Sequence, residues 1–177
     1  MLEGLSVIKA TTEICKGCIL GKHLEHKFDR GKASQASGIL GLIHSDINRP
    51  IPITSLNGSR YVLTFIDDFL RYTWAFLIKK KSDVLKKFIE LKALIENASR
   101  KKIKILRSDN GGKYISNNFL HIFSEIGIHI QHSFPYTPQQ NSVAERKNQS
   151  LKEMTTCMLE DKKLDANLWA KAMISAI

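Results

Sequence analysis

The spacing of apolar residues changes several times along the chain, and each change marks an element. ILGLIHSDI (39–47) is largely apolar, as a buried strand would be. YVLTFI (61–66) and YTWAFLI (72–78) are β-branched and aromatic runs with only DDFLR between them, which predicts a hairpin. The period then becomes helical. Val84, Phe88, Leu91 and Ile95 recur behind Ser82 and Asp83, which offer an N-cap and an acidic first turn, so a helix is expected over 83–97. KIKILRS (102–108) predicts a fourth strand that leads to Asp109, with Asn110-Gly111-Gly112 turning the chain out of it. A helix carrying Phe119, Ile122 and Phe123 leads to a fifth strand, IHIQHS (128–133), and after FPYTPQQN a long helix begins near Ser142.

Residues 1–38 behave differently. They lack apolar periodicity and end in DRGKASQASG (29–38), a polar stretch suited to a linker. The expected organisation is therefore a short N-terminal module with its linker over 1–38 and a compact domain over 39–177. In that domain three strands, a helix, a strand, a helix, a strand and then helices follow in the order of the α/β ribonuclease-H-like fold, a mixed five-stranded sheet flanked by helices. A right-handed crossover through the 83–97 helix would lay the fourth strand parallel to the first.

Composition narrows the chemistry. At 177 residues, 43% of them hydrophobic, the chain can bury one core of ordinary size. Lys and Arg outnumber Asp and Glu by 27 to 17, for a net charge of +10, which favours a phosphate-bearing partner. No apolar run approaches the ~20 residues of a membrane-spanning helix, and MLEGLSVIKATTE lacks the basic start and apolar stretch of a signal peptide. Three cysteines, two of them in CKGC, do not make a disulfide framework and fit a reducing compartment.

The candidate catalytic set is Asp46, Asp109 and Glu145, with 35 residues between the last two. Asp46 and Asp109 would lie at the ends of neighbouring parallel strands, where α/β sheets place ligand sites, and the helix from 142 can bring Glu145 across the same edge. Three carboxylates suit phosphodiester chemistry, because in-line displacement at phosphorus can be served by two Mg²⁺ ions ~3.5–4 Å apart, and Mg²⁺ favours a few carboxylates plus substrate phosphate. Each residue has a structural alternative. Asp46 and Asp109 suit strand-end turns, Asp67 and Asp68 fall in a hairpin turn where Asp is common, and Ser142-Val143-Ala144-Glu145 is a capping-box pattern.

LIHSDI, YVLTFIDDFLRYTWAFLIKKKSD, LRSDNGGKYISNNF and HSFPYTPQQNSVAERKN, in this order and spacing, resemble the integrase core of copia-type long-terminal-repeat retrotransposons over roughly residues 38–177. CKGCILGK (15–22) resembles the cysteine half of the zinc-binding domain that precedes such cores. In that family a His pair lies upstream of the cysteines, whereas His23 and His26 follow Cys15 and Cys18, so the chain is expected to be a fragment. The resemblance implies metal-dependent processing of DNA ends and their strand transfer into target DNA, with Asp46 bridging two Mg²⁺ (or Mn²⁺) ions, Asp109 completing one site and Glu145 the other. It also implies nucleic-acid contacts from Asn148, Gln149 and Lys152 on the last helix and from Tyr136, Gln140 and Asn141 in the preceding loop, and a structural Zn²⁺ held in part by Cys15 and Cys18. DNA is the expected partner, with self-association in the full-length context, no membrane, and a location in the nucleus and in cytoplasmic virus-like particles. Departures from the family pattern include Lys113 after DNGG, Ser142 in place of Gly, and Gln149 in place of Arg; none removes a carboxylate. A catalytically silent nucleic-acid-binding or assembly domain is the other function class.

Overall fold

The structure, a computed structural model, describes residues 36–48, 50–108, 117–132 and 142–177. Strands Ile43–Ile47 (β1), Tyr61–Asp67 (β2), Thr73–Ile78 (β3), Ile105–Ser108 (β4) and His129–His132 (β5) form one sheet in the order β3-β2-β1-β4-β5. The helices are Val84–Ser99 (α1), Asn117–Glu125 (α2), Ser142–Asp161 (α3) and Trp169–Ser175 (α4). β1, β2 and β3 pair antiparallel, whereas β1–β4 and β4–β5 are parallel. This is the ribonuclease-H-like arrangement, and β4 lies against β1 as the crossover rule requires.

Alternation along the strands separates two faces. Ile43, Leu63, Phe65, Ile78 and Leu106 point to one side and pack against Val84, Phe88, Leu91 and Ile95 of α1 and Phe119 and Phe123 of α2. Within this layer Phe88 stacks on Phe123 at 4.7 Å between ring centroids, and Phe123 on Phe119 at 4.4 Å. Stacked rings at this spacing add to the area term of burial. Val62 points to the other side, where it meets Leu151 of α3 and Trp169, Ala170 and Met173 of α4. The indole N–H of Trp169 donates to the Ile53 carbonyl at 2.8 Å, tying this second layer to the loop before β2.

The first strand is shorter than its apolar run suggests. Residues 38–41 form a turn in which Gly41 N–H donates to the Gly38 carbonyl at 3.1 Å and Leu40 takes φ 60°. A non-glycine residue in that region is strained, and two contacts hold it there. The Leu40 side chain is fully buried, and its N–H donates to the Asp67 carboxylate at 2.7 Å. The sequence shows the hydrophobicity but not this partner 27 residues away. β4 likewise begins only at Ile105, because Glu96 of α1 captures the Ile103 N–H at 2.9 Å.

Candidate active site

Asp46 is the fourth residue of β1, beside Thr64 of β2 in the antiparallel register. Even-numbered residues of β1 face α3, so the Asp46 carboxylate stands on the side opposite the aromatic core. Its Oδ1 accepts the Ile47 N–H at 2.8 Å, and its Oδ2 accepts the side-chain amide of Asn148 at 2.6 Å. The Asn148 carbonyl in turn accepts the Thr64 hydroxyl at 3.0 Å. Thr64 is fully buried and Asn148 only 5% exposed. The pattern fixes the amide's orientation, since only its NH₂ can serve a carboxylate and only its oxygen can serve the hydroxyl. A strand aspartate is thus held to a helix by a buried relay across 102 residues of sequence.

The inward stripe of α3 is Ala144, Asn148, Leu151 and Thr155, a 4-3-4 helical spacing. Glu145 lies three residues before Asn148, one turn nearer the start of α3, and is exposed. Hence α3 carries Glu145 on the turn adjoining the one that grips Asp46. On the other flank, β1 pairs with β4 in parallel through Ser45 and Ser108. The residue after each is an aspartate, Asp46 and Asp109.

Several expected site residues lie outside the described ones: Asp109, Tyr136, Gln140 and Asn141, together with Cys15 and Cys18. Among the described residues no group of three or more His, Cys, Asp or Glu is placed to hold a metal ion. Gln149, expected at DNA, donates to Glu153 at 2.9 Å, while Lys152 is exposed. Asn148, also expected at DNA, has its amide engaged by Asp46 and Thr64. Its inward position was legible from the shared spacing with Ala144 and Leu151.

A polar network that the sequence did not reveal adjoins Asp46. His44, on the same face of β1 two residues earlier, is 1% exposed, and its Nε2 lies 3.0 Å from Asp68 Oδ1. Arg71 reaches the same oxygen at 3.0 Å, and Asp68 Oδ2 accepts the Ala36 N–H at 2.6 Å. Burial lowers the His44 pKa, only partly offset by Asp68; burial would raise Asp68, yet the Ala36 N–H, His44 and Arg71 together hold it below its ordinary range. His44 is therefore neutral at physiological pH and Asp68 ionised. Asp67 accepts the Phe69 and Leu70 N–H groups in the hairpin turn, as turn aspartates do, and also the Leu40 N–H. The Asp67-Asp68 pair clasps residues 36–40, where the chain enters β1.

Comparison with known families places the chain. The integrase core domain model matches residues 36–138. The chain belongs to the integrase core domain family. It is 38% identical over 173 residues, 97% of its length, to the retrovirus-related Pol polyprotein from transposon TNT 1-94 of Nicotiana tabacum, and 34% identical over 164 residues, 92% of its length, to that from transposon RE2 of Arabidopsis thaliana. These are copia-type elements, so the chain corresponds to the integrase core of such polyproteins. It spans only 13% and 11% of those two relatives. Among solved structures, a simian T-cell lymphotropic virus intasome in complex with PP2A regulatory subunit B56 gamma superposes with a TM-score of 0.65 at 19% identity, over 88% of this chain and 54% of that one. At that identity the likeness speaks for the fold. Integrase cores are, as a family, divalent-metal-dependent polynucleotidyl transferases.

Proposed function

We infer that this integrase core processes DNA ends and transfers them into target DNA, with Asp46, Asp109 and Glu145 as the catalytic carboxylates and Mg²⁺ or Mn²⁺ as cofactor. The observation that carries the reading is the Asn148 relay: the helix that bears Glu145 is fixed to the Asp46 carboxylate at 2.6 Å. The donor chemistry fits a hard divalent cation, because carboxylate oxygens are its preferred ligands. The Ile47 N–H on Oδ1 and the Asn148 amide on Oδ2 orient the group. When bound, the metals would activate the attacking oxygen and stabilise the leaving one. The protein's own task is positioning. Asn148 and the Ile47 N–H hold Asp46, Thr64 holds Asn148, and α3 sets Glu145 one turn away. Lys152, exposed two turns beyond Glu145, suits a DNA phosphate.

The finer organisation belongs to the same proposal. Residues 1–38 would belong to a zinc-binding module, with Cys15 and Cys18 as two of its ligands, followed by a linker. The whole polyprotein's integrase would work as an oligomer on element ends in the nucleus, after assembly in cytoplasmic particles. The test is a Mg²⁺-dependent end-processing and strand-transfer assay on duplexes carrying the element's ends, comparing the chain with Glu145→Gln. Activity that requires metal and falls at least a hundredfold in the variant is expected. A folded, DNA-binding chain with no metal-dependent activity would make this copy a silent binding domain.

A further inference from the structure

Lysines gather at one edge of the sheet, at the same end as Asp46. Over residues 79–90 there are five lysines against one aspartate and one glutamate. β3 runs parallel to β1, since both are antiparallel to β2, so the end of β3 at Ile78 lies at the carboxyl-terminal end of β1. Asp46, Thr64 and Ala75 share one cross-strand row, and Lys79 is four residues beyond it. Two strand spacings and four residue rises put Lys79 roughly 16 Å from Asp46, about five base-pair steps of duplex.

The local structure presents these cations rather than quenching them. Lys79 lies across Gly58, where an added Cβ would meet its Cε at 3.4 Å and Nζ at 3.5 Å, and Gly58 has φ +77°. The Lys81 ammonium sits 5.7 Å over the ring of Tyr61. Arg60, Lys79, Lys80 and Lys81 are all exposed, and none takes part in an ion pair among the described residues. The neighbouring acids are engaged elsewhere. Asp83 accepts the Lys80 backbone N–H at 3.1 Å, and Glu90 pairs with Lys87 at 2.7 Å. Four cationic side chains on a turn and a strand end, two of them held against the surface, match the backbone of a stiff polyanion better than a small ligand.

We propose that Arg60, Lys79, Lys80 and Lys81 form a second DNA contact, gripping the phosphates of duplex about five base pairs away from the reacting phosphate. This rests on the end-joining reading for the identity of the polyanion. The contact carries no sequence information; it sets how the duplex lies across the carboxyl-terminal edge of the sheet.

The experiment uses the whole chain and a defined DNA duplex, with affinity measured across salt concentrations. Each phosphate contact contributes about 0.9 to the slope of log affinity against log salt. Lys79→Gln, Lys80→Gln and Lys81→Gln together should reduce that slope by about two to three. Arg100→Gln, Lys101→Gln and Lys104→Gln change the net charge equally at the opposite end of the sheet, before β4, and should reduce it by less than one. The triple arginine replacement at 79–81 should keep the original slope, and unchanged thermal transitions show that the variants fold. Equal losses from both triple glutamine variants would overturn the proposal in favour of general charge. An unchanged slope for the 79–81 glutamine variant, with end processing intact, would overturn the second contact and leave the catalytic reading standing. Loss of processing in Asp46→Asn with full DNA binding would separate the two in the other direction.

Discussion

The two faces of one sheet solve different problems. On the α1–α2 side, Phe65, Phe88, Phe119 and Phe123 form a continuous aromatic layer over the apolar strand residues Ile43, Leu63, Ile78 and Leu106, and Ser45, Asp67 and Ser108 are buried on the same side. On the α3 side the same strands present His44, Asp46 and Thr64, and α3 answers with Asn148 where an apolar residue would be expected. Leu151, Trp169 and Met173 close only part of that side. Stability is concentrated on the first face. The second accepts buried polar groups in return for a carboxylate held in a fixed place: both ends of the Asn148 amide are paired, whereas His44 is paired at Nε2 and its Nδ1 is buried without a partner among the described residues.

Truncation on the two faces should therefore have different consequences. Phe88→Ala removes a fully buried ring in contact with Phe65 and Phe123 and should cost about 3–5 kcal/mol. Urea unfolding measures it; a loss below about 1 kcal/mol would mean that the aromatic layer is not the principal core.

On the other face, Asn148→Leu leaves Thr64 and Asp46 without their shared amide and should cost about 1–3 kcal/mol. DNA processing should fall by more than stability alone accounts for. Asn148→Asp is more informative, because it sets two carboxylates side by side. That proximity raises the folded-state pKa of the pair, so the stability it retains is present in acid and is lost as pH rises. A variant that instead became more stable towards neutral pH would refute the 2.6 Å relay.

The apolar face has its own buried charge, and it sharpens the contrast. Glu96 accepts Lys92 at 2.9 Å, Lys102 at 3.1 Å and the Ile103 N–H at 2.9 Å. Burial alone would raise its pKa, but Lys92, the Ile103 N–H and Lys102 outweigh it and leave the carboxyl below its ordinary value. A depressed folded-state pKa means that the contribution is complete above the unfolded value and disappears as pH falls through the folded one. Urea midpoints should decline on acidification through the carboxylate range, and Glu96→Gln should flatten that decline. The smallest effect belongs to the exposed side of α3, where Gln149→Ala removes only the contact to Glu153 and should cost about 0.2–0.5 kcal/mol.

Legibility in the sequence followed the same division. The aromatic face could be read almost completely, because Val84, Phe88, Leu91 and Ile95 declare a helix and the two β-branched runs declare a hairpin. The parallel placement of β4 beside β1 followed from the crossover. The polar face was only partly readable. Asp46 and Glu145 stood out by motif, but Asn148 carries no mark that distinguishes a buried relay from a DNA contact except its spacing from Ala144 and Leu151. Asp67 and Asp68 looked like turn residues, and Asp67 is one. Their grip on Ala36 and Leu40, about thirty residues upstream, depends on tertiary placement that no local pattern encodes. The apolar residues of 39–42 favoured strand for the same reason.

The central claim is that Asp46, Asp109 and Glu145 serve one divalent-metal site, with Asn148 holding the first of them. Mn²⁺ titration followed by electron paramagnetic resonance addresses it without relying on turnover. Asp46→Asn, Asp109→Asn and Glu145→Gln, each in the presence of a DNA duplex, should weaken Mn²⁺ binding at least tenfold while leaving the thermal transition in place. Asn148→Leu should give a smaller loss in the same direction. Mn²⁺ binding unaffected by Asp109→Asn or Glu145→Gln would contradict the account, because the three carboxylates would then not share a site.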